Sequence, residues 1–245
     1  MNILCIGNSF AVDACRYLHR IARAEGEDIS TTVLYIGGCS LERHYRNMLS
    51  GKPAYELVYN GESTGFPVSM EDALLNRNWD VVTLQQVSWG AVDFASFQPY
   101  LQELSAFVKE CAPHAKQVIH QTWSYLDGGD KLAKYGYNSH DEMEEKVIAA
   151  YKEAAKAIDA AGIIPSGELF QKLNAAKTDG LYREDGKHAG YGAGRYALGL
   201  LWYGFFTGKN VSGNTFDDLD IPCPTEELQQ IRQTVQDCLK DCHFA

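Results

Sequence analysis

A three-layer α/β/α sandwich, with helices on both faces of a parallel sheet of about five strands, is the fold this sequence predicts. Short apolar runs alternate with helix-length amphipathic stretches along the 245 residues. The runs lack strict apolar–polar alternation, as strands covered on both faces do. Strands separated by helices favour parallel pairing through right-handed crossovers. No internal repeat, low-complexity tract or Pro/Ser-rich linker interrupts the chain, so one domain over residues 1–245 is expected.

The elements follow in order. Residues 2–6 (NILCI) form the first strand. It ends at Gly7-Asn8, and a helical pattern then runs through Ala24 with Leu18, Ile21 and Ala22 on one face. Ser30 to Ile36 is rich in β-branched and aromatic residues and reads as the second strand, stopped by Gly37-Gly38. Leu41 to Ser50 reads as a helix. Residues 54–67 suggest a small hairpin turning at Asn60-Gly61, as an insertion or edge feature. Ser69 to Arg77 is a short helix, with Ser69 and Asp72 as a capping box. Asp80 to Gln85 is the third strand, Phe97 to Cys111 a helix closed by Pro113, and Lys116 to Thr122 the fourth strand. A long helix from Asp141 to Ala161 ends at Gly162, and Ile163 to Pro165 starts a fifth strand. Tyr191 to Phe206 is a helix apolar nearly all round, expected to be buried against the sheet, and Thr225 to Leu239 is amphipathic.

Composition narrows the function. A hydrophobic share of 45% and a charged share of 22% are those of a globular protein rather than a disordered chain, collagen or coiled coil. With 22 Lys+Arg against 32 Asp+Glu the formal charge is −10, which disfavours nucleic acid as a partner because such binding needs a basic face. No membrane span is expected, since no apolar run approaches about 18 residues. The amino terminus lacks the basic and long apolar regions of a secretory signal. The 7 cysteines are odd in number and scattered, so a reducing, cytoplasmic setting is the expectation.

In open α/β sheets, sites gather at the carboxyl ends of the strands. Ser9 stands at the first such end. Its hydroxyl either caps the following helix or, given a base, acts as a nucleophile. Near the carboxyl end of the chain, Asp185-Gly-Lys-His188 is an Asp-x-x-His. The carboxylate can reach Nδ1 of the same imidazole and leave Nε2 free to take a proton, or the segment is a polar turn. Gly37-Gly38 lets backbone N–H groups approach a ligand, or serves a tight turn. Gln85 and Gln86 offer side-chain amides at the third strand end, or solvate an edge. Neither a Gly-x-Ser-x-Gly elbow nor a G-x-G-x-x-G or Walker loop is present.

The order Gly7-Asn8-Ser9, then the glycine of IGGCS, then Asp185-x-x-His188 resembles the SGNH-hydrolase superfamily, the GDSL-like esterases and lipases. The resemblance implies a flavodoxin-like fold and a serine esterase with Ser9, His188 and Asp185 as catalytic residues. It implies an oxyanion hole of Ser9, Gly38 and an amide, and an acyl-enzyme on a small O-acyl ester, an acetylated carbohydrate being one candidate. No metal or organic cofactor is implied. The sequence departs from the superfamily's third block, where LQQVSWG carries no Asn. Gln86 is the nearest substitute, Gln85 a second and Ser88 a poorer one. That departure keeps a catalytically silent binding module as an alternative, and a lysophospholipase or thioesterase as a further one. Activity is expected to fall below about pH 6, where an imidazole base is protonated.

The remaining candidates have plainer roles. Cys238, Cys242 and His243 lie close together, but no second ligand pair accompanies them and zinc is not expected. Cys5 and His120 are read as core, and His44 as a surface residue rather than a cleft residue. Trp89, Trp123, Tyr125, Tyr135 and Tyr137 either pack their loops or line a ligand pocket.

Overall fold

The computed structural model describes residues 1–240, 242 and 244. Five strands run parallel: β1 (Asn2–Gly7), β2 (Ser30–Tyr35), β5 (Val81–Leu84), β6 (Lys116–Gln121) and β7 (Ile163–Pro165). Two further strands, β3 (Tyr55–Tyr59) and β4 (Glu62–Val68), form a hairpin that adds antiparallel to β2. The sheet therefore has seven strands, in the order β4-β3-β2-β1-β5-β6-β7. The expected insertion is its edge. Asn60 and Gly61 both take positive φ, 49° and 81°, as a two-residue turn matched to strand twist requires.

Adjacent residues of one strand feed opposite layers, because the side-chain period is two. Ile3 and Cys5 join one core with Val33, Val81 and Val118. Leu4 and Ile6 join the other with Leu34, Val82, Leu84 and Ile119. The first core is closed by α1 (Ser9–Cys15), α2 (Leu18–Ala24), α8 (Ser166–Ala175), α9 (Ala193–Thr207) and α10 (Thr225–Leu239). The second is closed by α3 (Leu41–Ser50), α4 (Met70–Leu75), α5 (Tyr100–Cys111) and α7 (His140–Ile158). The result is the predicted three-layer α/β/α arrangement.

Four elements differ from the sequence reading. The helix expected through Ala24 breaks at Arg16–Tyr17, where α9 crosses it. A Cβ at Gly199 would lie 2.7 Å from Ile21 Cδ1 and 3.5 Å from Tyr17 Cβ. The expected helix from Phe97 divides into a 3₁₀ turn (Phe94–Phe97) and α5. Short α6 (Asp130–Lys134) and the ten-residue α8 had no counterpart in that reading. Helix α9 is buried on nearly every side among α1, α2, α8 and α10. Among the described residues no helix is long and apolar enough to cross a membrane.

The chain leaves β1 for β2 on one side and later reaches β5 on the other. The strand order thus reverses at β1, and the carboxyl ends of β1 and β5 flank the crevice that such a reversal opens. Ser9 begins the helix at that point.

Candidate active site

Asn8, one residue before Ser9, is the N-cap of α1, and its Oδ1 accepts the Phe10 N–H at 3.1 Å. Ser9 therefore does not cap the helix. Its N–H is one of the orphan donors of the first turn, and its hydroxyl is turned to the loop before α9. The same Asn8 Oδ1 accepts Gln85 Nε2 at 2.9 Å, and Asn8 Nδ2 donates to the Cys39 carbonyl at 3.1 Å. Gln85 Oε1 is in turn 2.9 Å from His120 Nδ1. Burial pushes His120 down to about 3, so its ring is neutral and Nδ1–H donates to Gln85. A buried chain from β6 through β5 thus fixes the turn that carries Ser9. Gly7 leaves room for it, since a Cβ there would lie 2.8 Å from Gln85 Oε1.

Residues 181–190 form a tight hairpin. Tyr182 bridges Ala189, Arg183 N donates to the His188 carbonyl at 2.9 Å, and Gly190 N to the Leu181 carbonyl at 2.8 Å. Its turn closes with Gly186 at φ 61°. The loop after β6 holds it from outside: Trp123 Nε1 donates to the Lys187 carbonyl at 2.9 Å and Leu126 N to that of Gly186 at 2.8 Å. The hairpin brings His188 Nε2 to 2.8 Å from Ser9 Oγ, across 179 residues of sequence. His188 Nδ1 lies 2.5 Å from Asp185 Oδ2.

Asp185 Oδ1 accepts the N–H groups of Lys187 and His188, both at 2.9 Å. Burial alone would raise the Asp185 carboxyl, but the hydrogen bonds from the His188 N–H, its ring and the Lys187 N–H hold it down to about 2. A charged carboxylate facing Nδ1 requires that nitrogen to carry the proton, leaving Nε2 as the acceptor for the Ser9 hydroxyl. Such a chain can withdraw a proton from the hydroxyl as the oxygen attacks an electrophile.

Gly38 sits with φ 61° in the turn closed by Cys39 N to the Ile36 carbonyl at 3.2 Å. Asn8 Nδ2 ties that turn to α1 through Cys39. Gln86 is built into the scaffold instead. Its Oε1 accepts Leu41 N at 3.0 Å and Val87 N at 2.9 Å, and its Nε2 donates to Ser96 O at 2.8 Å and Ser96 Oγ at 3.2 Å. Both amide hydrogens are taken, so Gln86 offers no donor to a ligand and the expectation for it is corrected. Gln85 is committed to Asn8, and the Ser88 hydroxyl to the Tyr125 hydroxyl at 2.9 Å.

A cleft of about 290 Å³ opens beside Ser9. One wall is α1, with Ser9, Val12 and Asp13. The β3–β4 hairpin contributes Glu56, Val58, Gly61 and Ser63, and Arg183 and Arg195 close a third side. Sequence reasoning missed the roles of Asp13, Arg183, Arg195 and Asn8. The signal for Asp13 was an acid four residues after Ser9, on the same helical face. His44 is fully buried, not surface, and its Nδ1 lies 3.0 Å from the Tyr55 hydroxyl. His120 and Cys5 are core, as expected. Trp123 and Tyr125 are buried and pack the loop after β6, whereas Trp89 is half exposed. Cys242 Sγ donates to the Cys238 carbonyl at 3.1 Å, and His243 lies outside the described residues. Among the described residues no three His, Cys, Asp or Glu side chains converge as metal ligands.

A family model described as a domain of unknown function, DUF4886, matches residues 2–234. The chain belongs to the DUF4886 family. A crystal structure of a DUF4886 protein from Bacteroides uniformis superposes with a TM-score of 0.88 at 29% identity, over 98% of this chain and 94% of that one. A proposed SGNH hydrolase from Slackia heliotrinireducens superposes at 0.60 with 28% identity, covering 83% of this chain and 97% of its own. A proposed GDSL-like lipase from Parabacteroides merdae gives 0.55 at 13% identity, over 82% and 93%, and so shares the fold. No curated protein matches the chain. This DUF4886 member therefore has the α/β architecture of proteins described as hydrolases.

Proposed function

We propose that the protein is a serine hydrolase of the SGNH type that cleaves a small O-acyl ester through an acyl-enzyme on Ser9. The observation that carries this reading is the chain Ser9 Oγ, His188 Nε2 at 2.8 Å, His188 Nδ1, Asp185 Oδ2 at 2.5 Å. The likeness to the Slackia protein supports a hydrolase at the coarse level. His188 takes the Ser9 proton as Oγ adds to the ester carbonyl, and Asp185 stabilises the imidazolium. The N–H groups of Ser9 and Gly38 hold the oxyanion, each contributing about 3 kcal/mol. The alcohol leaves with the proton from His188, and water then hydrolyses the acyl-enzyme by the reverse route.

The cleft favours a compact substrate. Its volume of about 290 Å³ suits an acetyl ester of a small alcohol better than a long acyl chain. Glu56 and Ser63 line it on the hairpin side, polar groups able to meet the hydroxyls of an alcohol such as a sugar. The commitment of Gln85 and Gln86 elsewhere favours a second reading, a catalytically silent binding module that lacks a third oxyanion donor.

One experiment separates them. Wild type and Ser9→Ala are assayed on p-nitrophenyl acetate, butyrate and longer esters. A fluorophosphonate adduct is then located by mass spectrometry. The expected outcome is acetyl-preferring hydrolysis abolished in Ser9→Ala, with the adduct on Ser9. Activity unchanged in Ser9→Ala would overturn the assignment, and a wild type that neither hydrolyses nor labels is the binding module.

A further inference from the structure

Ser9 and His188 come from elements with no covalent reason to meet, and the contact between them is a single hydrogen bond. A more extensive contact between the same two elements lies one helical turn away. Asp13 follows Ser9 by four residues on α1, so both side chains point to the same side. Only 1% of the Asp13 side chain is exposed. Its Oδ2 accepts the backbone N–H of Ala189, the residue after His188, at 3.2 Å. Its Oδ1 accepts Arg195 Nε at 2.9 Å and also Arg183 Nη2.

Arg183 completes the clamp from the other strand of the 181–190 hairpin. Its backbone N–H donates to the His188 carbonyl at 2.9 Å, and its Nε donates to the Ala189 carbonyl at 3.0 Å. The peptide unit joining His188 to Ala189 is therefore held at both ends, its carbonyl by Arg183 and its N–H by Asp13. The guanidinium groups of Arg183 and Arg195 lie over the Tyr191 ring at 4.3 and 4.7 Å, which fixes the arginines in turn.

Resting on the reading of Ser9, His188 and Asp185 as a triad, we infer that Asp13 is a positioning residue, which sets the distance between Ser9 Oγ and His188 Nε2 by locking the His188–Ala189 peptide to the helix that carries Ser9. Asp13 touches neither reacting atom. The Asp185–His188 bond lies within the hairpin and does not depend on it. Loss of Asp13 leaves an oriented imidazole that is misplaced relative to its serine. Displacements of about 1 Å at a reacting pair cost on the order of 100-fold in rate.

The test is steady-state kinetics of Asp13→Asn on p-nitrophenyl acetate, at a temperature where circular dichroism shows the variant folded. We expect kcat to fall at least tenfold with KM within threefold. Phosphonylation of Ser9 by a fluorophosphonate should slow by the same factor as kcat. A folded variant with kcat within twofold of wild type would sink the inference, as would a loss confined to KM. If Asp13→Asn does not fold, the double variant Asp13→Asn/Arg195→Gln relieves the stranded guanidinium and carries the same expectation. Asp13→Glu keeps the carboxylate but displaces it by one methylene. It is expected to lower kcat with KM kept, and wild-type kcat in it refutes the clamp. Failure of the triad itself reads differently, as activity that persists in Ser9→Ala with no adduct on Ser9.

Discussion

Asp185 shows how much one side chain can be asked to do. One oxygen accepts two backbone N–H groups and shapes the turn, while the other faces the imidazole. Asp185→Asn retains an acceptor for the turn but puts an NH₂ group opposite Nδ1. The ring must then accept there and carry its proton on Nε2, where Ser9 needs an acceptor. The expected outcome is a kcat at least about 100-fold lower with KM little changed, measured on p-nitrophenyl acetate. Equal kcat values would show that the carboxylate does not set the tautomer. Because the carboxyl titrates at about 2, Asp185 stays charged across the whole range in which an imidazole titrates. Any fall in activity between pH 7 and 4 must therefore come from another group. Ser9, Asp185 and His188 were legible as candidates because Gly-Asn-Ser and Asp-x-x-His are short local patterns, and the structure brings the three side chains together. The roles of Asn8, Gln85 and His120 were not legible. Each is a common polar residue whose role exists only once β1, β5 and β6 lie side by side.

At the scale of elements, the 181–190 hairpin is a local structure clamped by outside contacts. Glycines at its end and just beyond it let the chain pack this closely. A Cβ at Gly190 would lie 1.8 Å from the Gly180 carbonyl oxygen, one at Gly194 2.3 Å from that of Leu181, and one at Gly192 2.5 Å from that of Ile221. Gly190→Ala must push the two arms of the hairpin apart. We expect it to destabilise the protein by about 1–3 kcal/mol and to lower kcat by more than the fraction unfolded explains. Urea melts and kinetics on the same sample measure both, and an unchanged kcat per folded molecule would show that the hairpin does not transmit the strain. The elements that the sequence predicted well are those with strong local signals: the NILCI strand, the Asn60-Gly61 turn and the Ser69 cap, whose Oγ accepts Asp72 N at 3.1 Å. Helix α8 was missed because Ser166-Gly167 looks like a break. The glycine is there for a tertiary reason, since a Cβ would lie 1.9 Å from Glu144 Oε1.

Over the whole molecule, the same Glu144 couples stability to pH. It is fully buried on α7, and its Oε2 accepts Ser124 N at 2.7 Å. Burial raises its carboxyl from 4.5 to about 8, the Ser124 N–H opposing only in part and the neighbouring Glu168 adding to the rise. The folded state then holds a proton that the unfolded chain has already lost. Its contribution is full below about 4.5 and disappears as pH rises through about 8. Glu144→Gln is permanently neutral, so its stability relative to wild type should grow between pH 5 and 8, by on the order of a few kcal/mol. Urea denaturation at those two pH values tests this, and parallel stability profiles would refute it. The sequence by itself determined the layer architecture, the parallel strands and the chemical groups at their ends, because periodicity, turn residues and short motifs are local properties of a chain. Only the tertiary structure decided the seven-stranded extent of the sheet, the hairpin wall beside Ser9, the engagement of Gln86 by Ser96 and the place of Asp13. Each depends on which residues, distant along the chain, are pressed together when two cores close on opposite faces of one sheet.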